Sequence, residues 1–360
     1  MDTSSVSNLE TVKSWISECE GHLRCFLPEQ VPLPDRVVDV SGQKLCLKET
    51  NKNLGQYMCL SYCWGPTRPL TTERDTIHQR REGILWPSIP KTFQDAIIFT
   101  RQLGIQYLWI DSLCIIQDDK KDWETQAGQM AQIYGNSYLT IAAVSGYKAE
   151  DGLFRKSNEA GLSPLCVPKI SHAHPDNGGD IFVRIEPLHN SLVLNKFDSK
   201  RPCPLLSRGW VFQEHMLPTR VLQFVENEVV LHCKSETRCE CRNGCPKRFG
   251  AKAIFHERLL QGIRQSENSR ALVLEQWRIA VEQYSHRRLT RTTTNSRPFL
   301  VWLSCFKKIW RANILRDYGR QIFWEACGGP VTRSQGWTTF LEENSRDRRS
   351  MLHLRGPEHQ

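Results

Sequence analysis

Three short apolar segments, separated by segments of helical periodicity, constrain the fold of this chain most. The apolar segments are Tyr57–Cys63, Tyr107–Asp111 and Tyr138–Val144, and all three are rich in strand-forming residues. In residues 90–104 and 122–136, which lie between them, apolar side chains recur at helical spacing. This alternation of strand and helix is typical of an α/β domain with a mostly parallel sheet.

The three apolar segments resemble strands that are buried on both faces, as strands of parallel sheets are. We therefore predict that they are adjacent in one parallel sheet and that a helix at Phe93–Leu103 packs against it. We also expect Asp122 to cap the second helix. Further strands are predicted at Arg36–Val40, Lys44–Leu47, Ile181–Ile185, Val221–Phe224 and Glu228–Cys233, and helical structure at residues 251–289.

The loops after the first two strands carry most of the candidate chemistry. Ligands of open parallel sheets bind at the carboxyl ends of the strands, where residues 61–65 and 111–119 both begin. Two interpretations of these loops stay open. Their residues either form a ligand site or are ordinary turn and core residues. The candidate ligand-binding residues in these loops are Ser61, Tyr62, Trp64 and Gln117, and the candidate catalytic residues are Asp111, Ser112 and Cys114.

Composition excludes several classes of protein. With 39% hydrophobic and 24% charged residues, the chain of 360 residues is not collagen-like, coiled-coil or wholly disordered. The N-terminus is polar and lacks a signal-peptide pattern, and the longest apolar run, Phe299–Phe306, is too short to span a bilayer. We therefore expect a cytoplasmic protein without a membrane span, whose 14 Cys mostly remain thiols.

The formal net charge of +9 is concentrated in the C-terminal half of the chain. Such asymmetry favours an acidic partner, but no recognisable nucleic-acid motif accompanies it. The sequence also has no dinucleotide fingerprint, no P-loop and no zinc-protease motif. A nucleic-acid partner is therefore not expected.

Five motifs in collinear order make the chain resemble a known family. They are YMCLSYCWG (57–65), IPKTFQDAI (89–97), LGIQYLWIDSLCIIQDDKKDWE (103–124), MAQIYGNSYLTIAA (130–143) and LLSRGWVFQE (205–214). Together they resemble the fungal heterokaryon incompatibility (HET) domain. A Trp-Cys-His-Cys segment at 15–25 and the segment WRIAVEQYSHRRLT at 277–290 resemble the flanks of such proteins.

The resemblance implies a fungal protein of non-self recognition. In that family the fusion of incompatible cells is followed by growth arrest or programmed death, and the HET domain induces the death. Its fold is considered similar to Toll/interleukin-receptor domains, a flavodoxin-like parallel sheet with helices on both faces. Some relatives of that fold hydrolyse NAD with a single Glu, which makes NAD a candidate substrate here. Two other functions stay open: a non-enzymatic module that signals by homo- or hetero-oligomeric assembly, and a zinc-stabilised basic binder of nucleic acid.

The sequence departs from the family pattern at Gln126. The pattern usually has a Glu four residues after the Asp of the Asp-Trp pair, which is Asp122-Trp123 here. A carboxylate can stabilise an oxocarbenium-like ribosyl centre, whereas a neutral amide can only position a group. Gln126 is thus a candidate catalytic residue, but the amide puts the enzymatic activity of the protein in doubt. A structural hydrogen-bonding role for Gln126 also stays open.

Three further ligand-binding candidates come from the last motif. Arg208 can hold an anionic group as a bidentate donor, while Gln213 and Glu214 open a predicted helix. Arg208 can equally pair with Asp111 or Glu214 and tie this segment to the sheet. We favour that structural role because ion-pair networks are commoner than ligand sites.

Two thiol clusters are candidate zinc sites. Cys233, Cys239, Cys241 and Cys245 lie close together in sequence, although a Cys-x-Cys pair is tighter than the usual spacing. The second cluster, Cys19-x2-His22-x2-Cys25, supplies only three ligands and is the less favoured of the two.

We predict four regions along the chain. They are an N-terminal flank (1–56), the HET domain (57–214), a loop-rich, mixed strand and helix extension (215–290) and a basic tail (291–360). The tail is rich in Arg, Trp and isolated Cys but has no sustained periodicity. Either a divergent domain or a shifted reading frame in the gene explains this composition without periodicity. We expect the tail to be loosely packed, with several Trp exposed.

Overall fold

A computed structural model describes residues 2–156, 203–226, 228–240 and 252–257, together with the backbone of 165–167 and 181–183 and short helical pieces between 275 and 287. All of these belong to one unit, Met1–Ala312. The predictions for the tail 291–360, and for most of 251–289, lie outside the described residues.

Helices and strands alternate through the centre of the described chain. The helices are α1 (Val6–Glu20), α2 (Ile77–Glu82), α3 (Lys91–Gln102), α4 (Asp111–Cys114), α5 (Lys120–Asn136) and α6 (Val211–Met216), and residues 252–257 are also helical. The strands are β1 (Val31–Pro32), β2 (Arg36–Asp39), β3 (Cys46–Glu49), β4 (Leu54–Gly55), β5 (Tyr57–Ser61), β6 (Tyr107–Trp109), β7 (Leu139–Ala143), β8 (Leu165–Val167), β9 (Ile181–Val183), β10 (Arg220–Phe224), β11 (Val229–Cys233) and β12 (Thr237–Cys239).

Within the described residues, eight strands form one sheet in the order β12-β11-β10-β7-β5-β6-β2-β3. The four central strands are parallel, and the two strands at each side are antiparallel to their neighbours. The predicted adjacency of β5, β6 and β7 is confirmed, and so is the α/β fold. Counted along the chain, the parallel strands lie in the order 2-1-3-4, which flavodoxin-like sheets share. The Toll/interleukin-receptor likeness itself stays a prediction.

Helices cover both faces of the central strands. Along β5, successive side chains point to opposite faces of the sheet. Tyr57 donates a hydrogen bond through its hydroxyl to the Ile133 carbonyl of α5 at 2.6 Å. On the other face, the ring of Tyr62 meets Phe93 of α3 edge to face, with centroids 4.8 Å apart. Both faces of β5 are therefore buried, as its apolar sequence predicts.

A buried ion pair joins β2 to the start of α5. The Arg36 guanidinium binds both carboxylate oxygens of Asp122, the shorter contact being 2.5 Å, and its Nε donates to the Cys114 carbonyl at 2.7 Å. The prediction that Asp122 caps α5 is wrong. Asp119 is the N-cap, and its carboxylate accepts from the backbone N–H groups of Lys121 and Asp122. The Asp122 carboxylate is engaged instead by Arg36.

In the described part of the chain, no helix combines the length and the apolar character that crossing a membrane requires.

Replacing Asp122 with Asn should destabilise the protein, because the Arg36 guanidinium would stay buried without its counter-charge. We expect the free energy of unfolding, measured by urea denaturation, to fall by about 3 kcal/mol. Glu124→Gln, a change of an exposed carboxylate on the same helix, is the control and should cost less than about 0.5 kcal/mol. Equal stabilities for both variants would show that the ion pair contributes nothing.

Candidate functional site

Side chains from three separate segments meet at the carboxyl ends of the parallel strands. Ser61, the last residue of β5, donates through Oγ to Glu214 Oε2 of α6 at 2.5 Å. Trp64, in the loop after β5, donates through Nε1 to Oδ2 of Asp111 at 2.9 Å, and Asp111 follows the end of β6. Arg208 Nη1 donates to the Tyr62 carbonyl at 2.8 Å. We call this group the edge cluster: Ser61, Tyr62, Trp64, Asp111, Ser112, Arg208 and Glu214.

The edge cluster contains two carboxyl groups that resist ionisation. Burial raises the pKa of Glu214 from 4.5 to about 7, and the charge of Asp111 adds to the rise, while the Ser61 hydroxyl and Arg208 oppose it. Desolvation also raises the pKa of Asp111, against the hydrogen bond from Trp64 and the charge of Arg208. Neighbouring buried carboxyls disfavour each other's charged form, so their titrations are linked.

Arg208 is the cation that faces both carboxyls. Burial opposes its charge, yet its pKa is raised because Glu214 and Asp111 stabilise the guanidinium. The structure thus brings Arg208 near both of the partners that the sequence offered for it. The hydrogen bond from the Arg208 guanidinium to the Tyr62 carbonyl fixes residues 207–209 against the end of β5.

Two buried hydroxyls beside Asp111 have hydrogen-bonding capacity left over. Tyr62 Oη and Ser112 Oγ are both inaccessible to solvent, and neither makes a hydrogen bond of ordinary geometry within the described residues. Tyr62 Oη lies close to the Asp111 carboxyl and to the Ser112 side chain, and the backbone N–H of Ser112 donates to Asp111 Oδ1 at 2.7 Å. Buried polar atoms are normally satisfied, and the nearest polar groups for the Tyr62 hydroxyl are Ser112 and the Asp111 carboxyl.

Three other predicted site residues, Cys114, Gln117 and Gln213, are buried or shape the loop after β6. Cys114 is fully buried, and burial raises the pKa of its thiol to about 12, so the reactive thiolate is disfavoured. Gln117 donates through its amide to the carbonyls of Asp111 and Ile115, both at 3.1 Å, and thereby shapes the loop after β6. Gln213 is completely buried within α6. A functional role for these residues stays a prediction.

Gln126 contacts the segment that precedes β2. Its amide nitrogen donates to Asp35 Oδ2 at 2.6 Å, and the other oxygen of Asp35 binds Lys52 Nζ at 2.6 Å. The side chain is 2% exposed, so it points inward as its place beside the apolar stripe of α5 predicts. This contact supports the structural interpretation of Gln126, while its catalytic interpretation stays a prediction.

A second cluster lies at the opposite edge of the sheet, at the amino end of β10. Cys19, His22, Cys25 and Cys233 place their ligand atoms within 4.8 Å of one another, which allows them to hold a metal ion. We call these four residues the thiol cluster. Cys233 ends β11 and lies opposite Arg220, the first residue of β10.

The structure regroups the predicted zinc ligands. Cys233 joins the three residues of the N-terminal flank, whereas Cys239 packs in a separate apolar cluster with Val230 and Ala142. Because Cys239 lies opposite Val230 and not opposite Cys233, antiparallel pairing of β11 with β12 separates the two thiols. Cys241 and Cys245 lie outside the described residues. The signal that pointed to the observed group was the Trp-Cys-His-Cys segment, which supplies three of its four members.

A groove of about 440 Å³ lies beside the thiol cluster, not beside the edge cluster. Its walls include Tyr138, which precedes β7, and Arg220, whose guanidinium stacks over the Tyr138 ring at 5.3 Å. The groove therefore opens at the amino ends of the parallel strands.

Replacing Gln126 with Glu should reveal its contact with Asp35. Two carboxylates would then lie within hydrogen-bonding distance, and one of them would have a raised pKa. We expect the unfolding free energy to fall by about 1–2 kcal/mol at pH 8 and the loss to shrink as the pH drops and one carboxyl takes up a proton. Urea denaturation at pH 8 and at a lower pH tests this. Unchanged stability of Gln126→Glu at pH 8 would contradict the contact with Asp35.

The raised pKa of Glu214 predicts a pH dependence of stability. Between pH 4.5 and about 7 the folded protein holds a proton that the unfolded chain releases, so stability falls as the pH rises through this window. Glu214→Gln has no carboxyl to ionise. Its free energy of unfolding should therefore rise relative to that of wild type by about 3 kcal/mol as the pH crosses this window. Urea denaturation curves at several pH values measure the difference. Glu82→Gln, an exposed carboxyl, serves as the control, and parallel pH profiles for wild type and Glu214→Gln would refute the assignment.

Comparison with known proteins identifies one domain of the chain. Residues 57–214 match the family model described as heterokaryon incompatibility protein (HET). No curated protein and no solved structure matches the chain. The matched segment begins at the first residue of β5 and ends at Glu214, so it contains every member of the edge cluster. Residues 57–214 of this chain therefore form a heterokaryon incompatibility (HET) domain.

Proposed function

We propose that this protein is a cytoplasmic effector of programmed cell death in non-self recognition and that its HET domain hydrolyses NAD. The observation that carries the proposal is the edge cluster. Two carboxyls with raised pKa values and one guanidinium lie together at the carboxyl ends of parallel strands, the place where such sheets bind ligands.

The chemistry of NAD hydrolysis suits two carboxyls. The bond between C1′ of the ribose and the nicotinamide nitrogen breaks, and nicotinamide leaves as a neutral molecule with the bonding electrons. The ribosyl centre becomes oxocarbenium-like, and water adds to C1′ and gives up a proton. In the proposal the Asp111 carboxylate stabilises the cationic centre and Glu214 accepts the proton from water. A pKa of about 7 favours acid–base work near neutral pH.

The remaining members of the edge cluster would bind and orient the substrate. Arg208 supplies positive charge for the diphosphate. Trp64 holds Asp111 by its indole N–H. Gln126 has no step in this scheme because its amide is engaged with Asp35.

Release of nicotinamide from NAD by the purified full-length protein tests the proposal. We expect wild type to release nicotinamide and both Asp111→Asn and Glu214→Gln to be at least about 100-fold slower. Asp118→Asn, an exposed carboxylate on the same loop as Asp111, should keep wild-type activity. Chromatography of the products measures the rates.

Two results would contradict the proposal. One is the absence of nicotinamide release by folded wild type, and the other is wild-type activity in both Asp111→Asn and Glu214→Gln. Expression in a fungal host adds a cellular readout, since the proposal expects growth arrest with wild type and growth with Glu214→Gln.

Assembly without catalysis is the competing function. The turn before α3 exposes Leu85 and Trp86, which are 71% and 39% accessible, and adjacent exposed apolar residues favour a protein partner or a second copy of this chain. Growth arrest by Glu214→Gln that is abolished by Trp86→Ser would support assembly over NAD hydrolysis.

A further inference from the structure

We propose that the thiol cluster is a structural zinc site that fastens the N-terminal flank to the strand beyond the HET domain. Its ligands come from two regions far apart in the sequence: Cys19, His22 and Cys25 precede the domain, and Cys233 follows it. This inference is independent of the proposed enzymatic function, because the site lies at the other edge of the sheet.

The four ligand atoms have nearly the geometry that zinc requires. Tetrahedral zinc, with bonds of about 2.3 Å to sulfur and about 2.0 Å to nitrogen, separates its ligand atoms by roughly 3.5–3.8 Å. Cys233 Sγ and His22 Nδ1 are 3.7 Å apart, and no pair in the cluster exceeds 4.8 Å. A contraction of about 1 Å at most would complete the tetrahedron.

Local structure explains how the flank supplies three ligands. Cys19 is in the last turn of α1, which Gly21 caps, and Cys25 closes the short turn Leu23–Cys25. The chain thus reverses direction around His22 and presents all three side chains toward the end of β11. Cys19, Cys25 and Cys233 are each 2% exposed or less, so the site is closed to solvent on the sulfur side.

His22 is oriented as a metal-ligating imidazole. Its Nδ1 faces the thiols, and its Nε2 lies 3.7 Å from Glu236 Oε1. Metal-ligating histidines usually direct their second nitrogen to a carboxylate or carbonyl, which fixes the tautomer. Glu236 is itself held by Arg238, so the orienting carboxylate is part of a fixed ion pair.

Hydrogen-bond donors converge on the sulfur atoms. The backbone N–H groups of Ser235 and Glu236 donate to Cys233 Sγ at 3.4 and 3.2 Å, and Arg220 Nε donates to Cys19 Sγ at 3.3 Å. Such donors stabilise thiolate sulfur, the form that binds a metal. Apolar packing of three neutral thiols would leave these donors with weak acceptors.

The charges around the site favour an anionic centre. Lys252 is fully buried, donates to the His215 carbonyl at 2.7 Å and lies near all three thiols. Burial lowers the pKa of Lys252, and negative charge on the three thiols opposes that shift. Zinc bound by three thiolates and one neutral imidazole has a net charge of −1, which favours the ammonium form of Lys252. Because all four ligands come from the protein, the site is structural and leaves no position for a substrate.

Metal analysis of the full-length protein tests the inference. Protein prepared with zinc should contain about one tightly bound zinc ion per chain, and substitution with cobalt should give the intense thiolate-to-cobalt absorption of a tetrahedral site. Cys19→Ser and Cys25→Ser should lose that zinc, whereas His22→Cys should retain it. Cys46→Ser, a half-buried thiol outside the cluster, is the matched control and should keep full occupancy.

Cys241→Ser distinguishes this site from the zinc site predicted around residues 233–245. The inference expects Cys241→Ser to keep its zinc. Loss of zinc in Cys241→Ser with retention in Cys25→Ser would overturn it, and so would wild-type protein that binds neither zinc nor cobalt. If Cys19→Ser and Cys25→Ser do not fold, the cobalt spectra of wild type and Cys241→Ser together still decide. A disulfide among Cys19, Cys25 and Cys233 in freshly purified protein, with no bound metal, would likewise refute the site.

Discussion

Burial of β5, β6 and β7 on both faces is the constraint on which this structure depends. Helices α3 and α5 pack on opposite faces of β5, so these strands are mostly apolar and the charged side chains lie at their ends. At the carboxyl ends this produces the edge cluster, and at the amino end of β10 the thiol cluster. One sheet therefore separates a site suited to acid–base chemistry from a site suited to a structural metal.

The edge cluster balances two carboxyls against one guanidinium. Burial raises the pKa of both Asp111 and Glu214, the charge of Asp111 adds to the rise at Glu214, and Arg208 opposes both shifts. Neither carboxyl therefore behaves as an isolated acid, and a change at one alters the proton affinity of the other. A site of this kind can both stabilise positive charge and accept a proton, which is the combination that glycosidic-bond hydrolysis requires.

The sequence predicts local features of this protein better than contacts across long separations. Apolar runs predicted β5, β6 and β7, and their ends predicted Ser61 and Asp111 at one edge. The contact between Ser61 and Glu214 joins residues 153 positions apart, and no periodicity encodes it. For the same reason, the partner of Gln126 and the pairing of Cys233 with the flank were not predictable. Asp122 was mistaken for a cap because an Asp at a helix start suits that role, whereas Arg36 engages it here.

A carboxyl titration of the edge cluster tests the central claim most directly. Carbon-13 NMR of glutamate-labelled protein, with Glu214 assigned by comparison with Glu214→Gln, measures its pKa in wild type and in Asp111→Asn. If the two carboxyls share one electrostatic site, the pKa of Glu214 lies near 7 in wild type and falls in Asp111→Asn, because the repulsion from Asp111 is gone. An ordinary pKa near 4.5 in wild type, or an identical pKa in both proteins, would contradict the account.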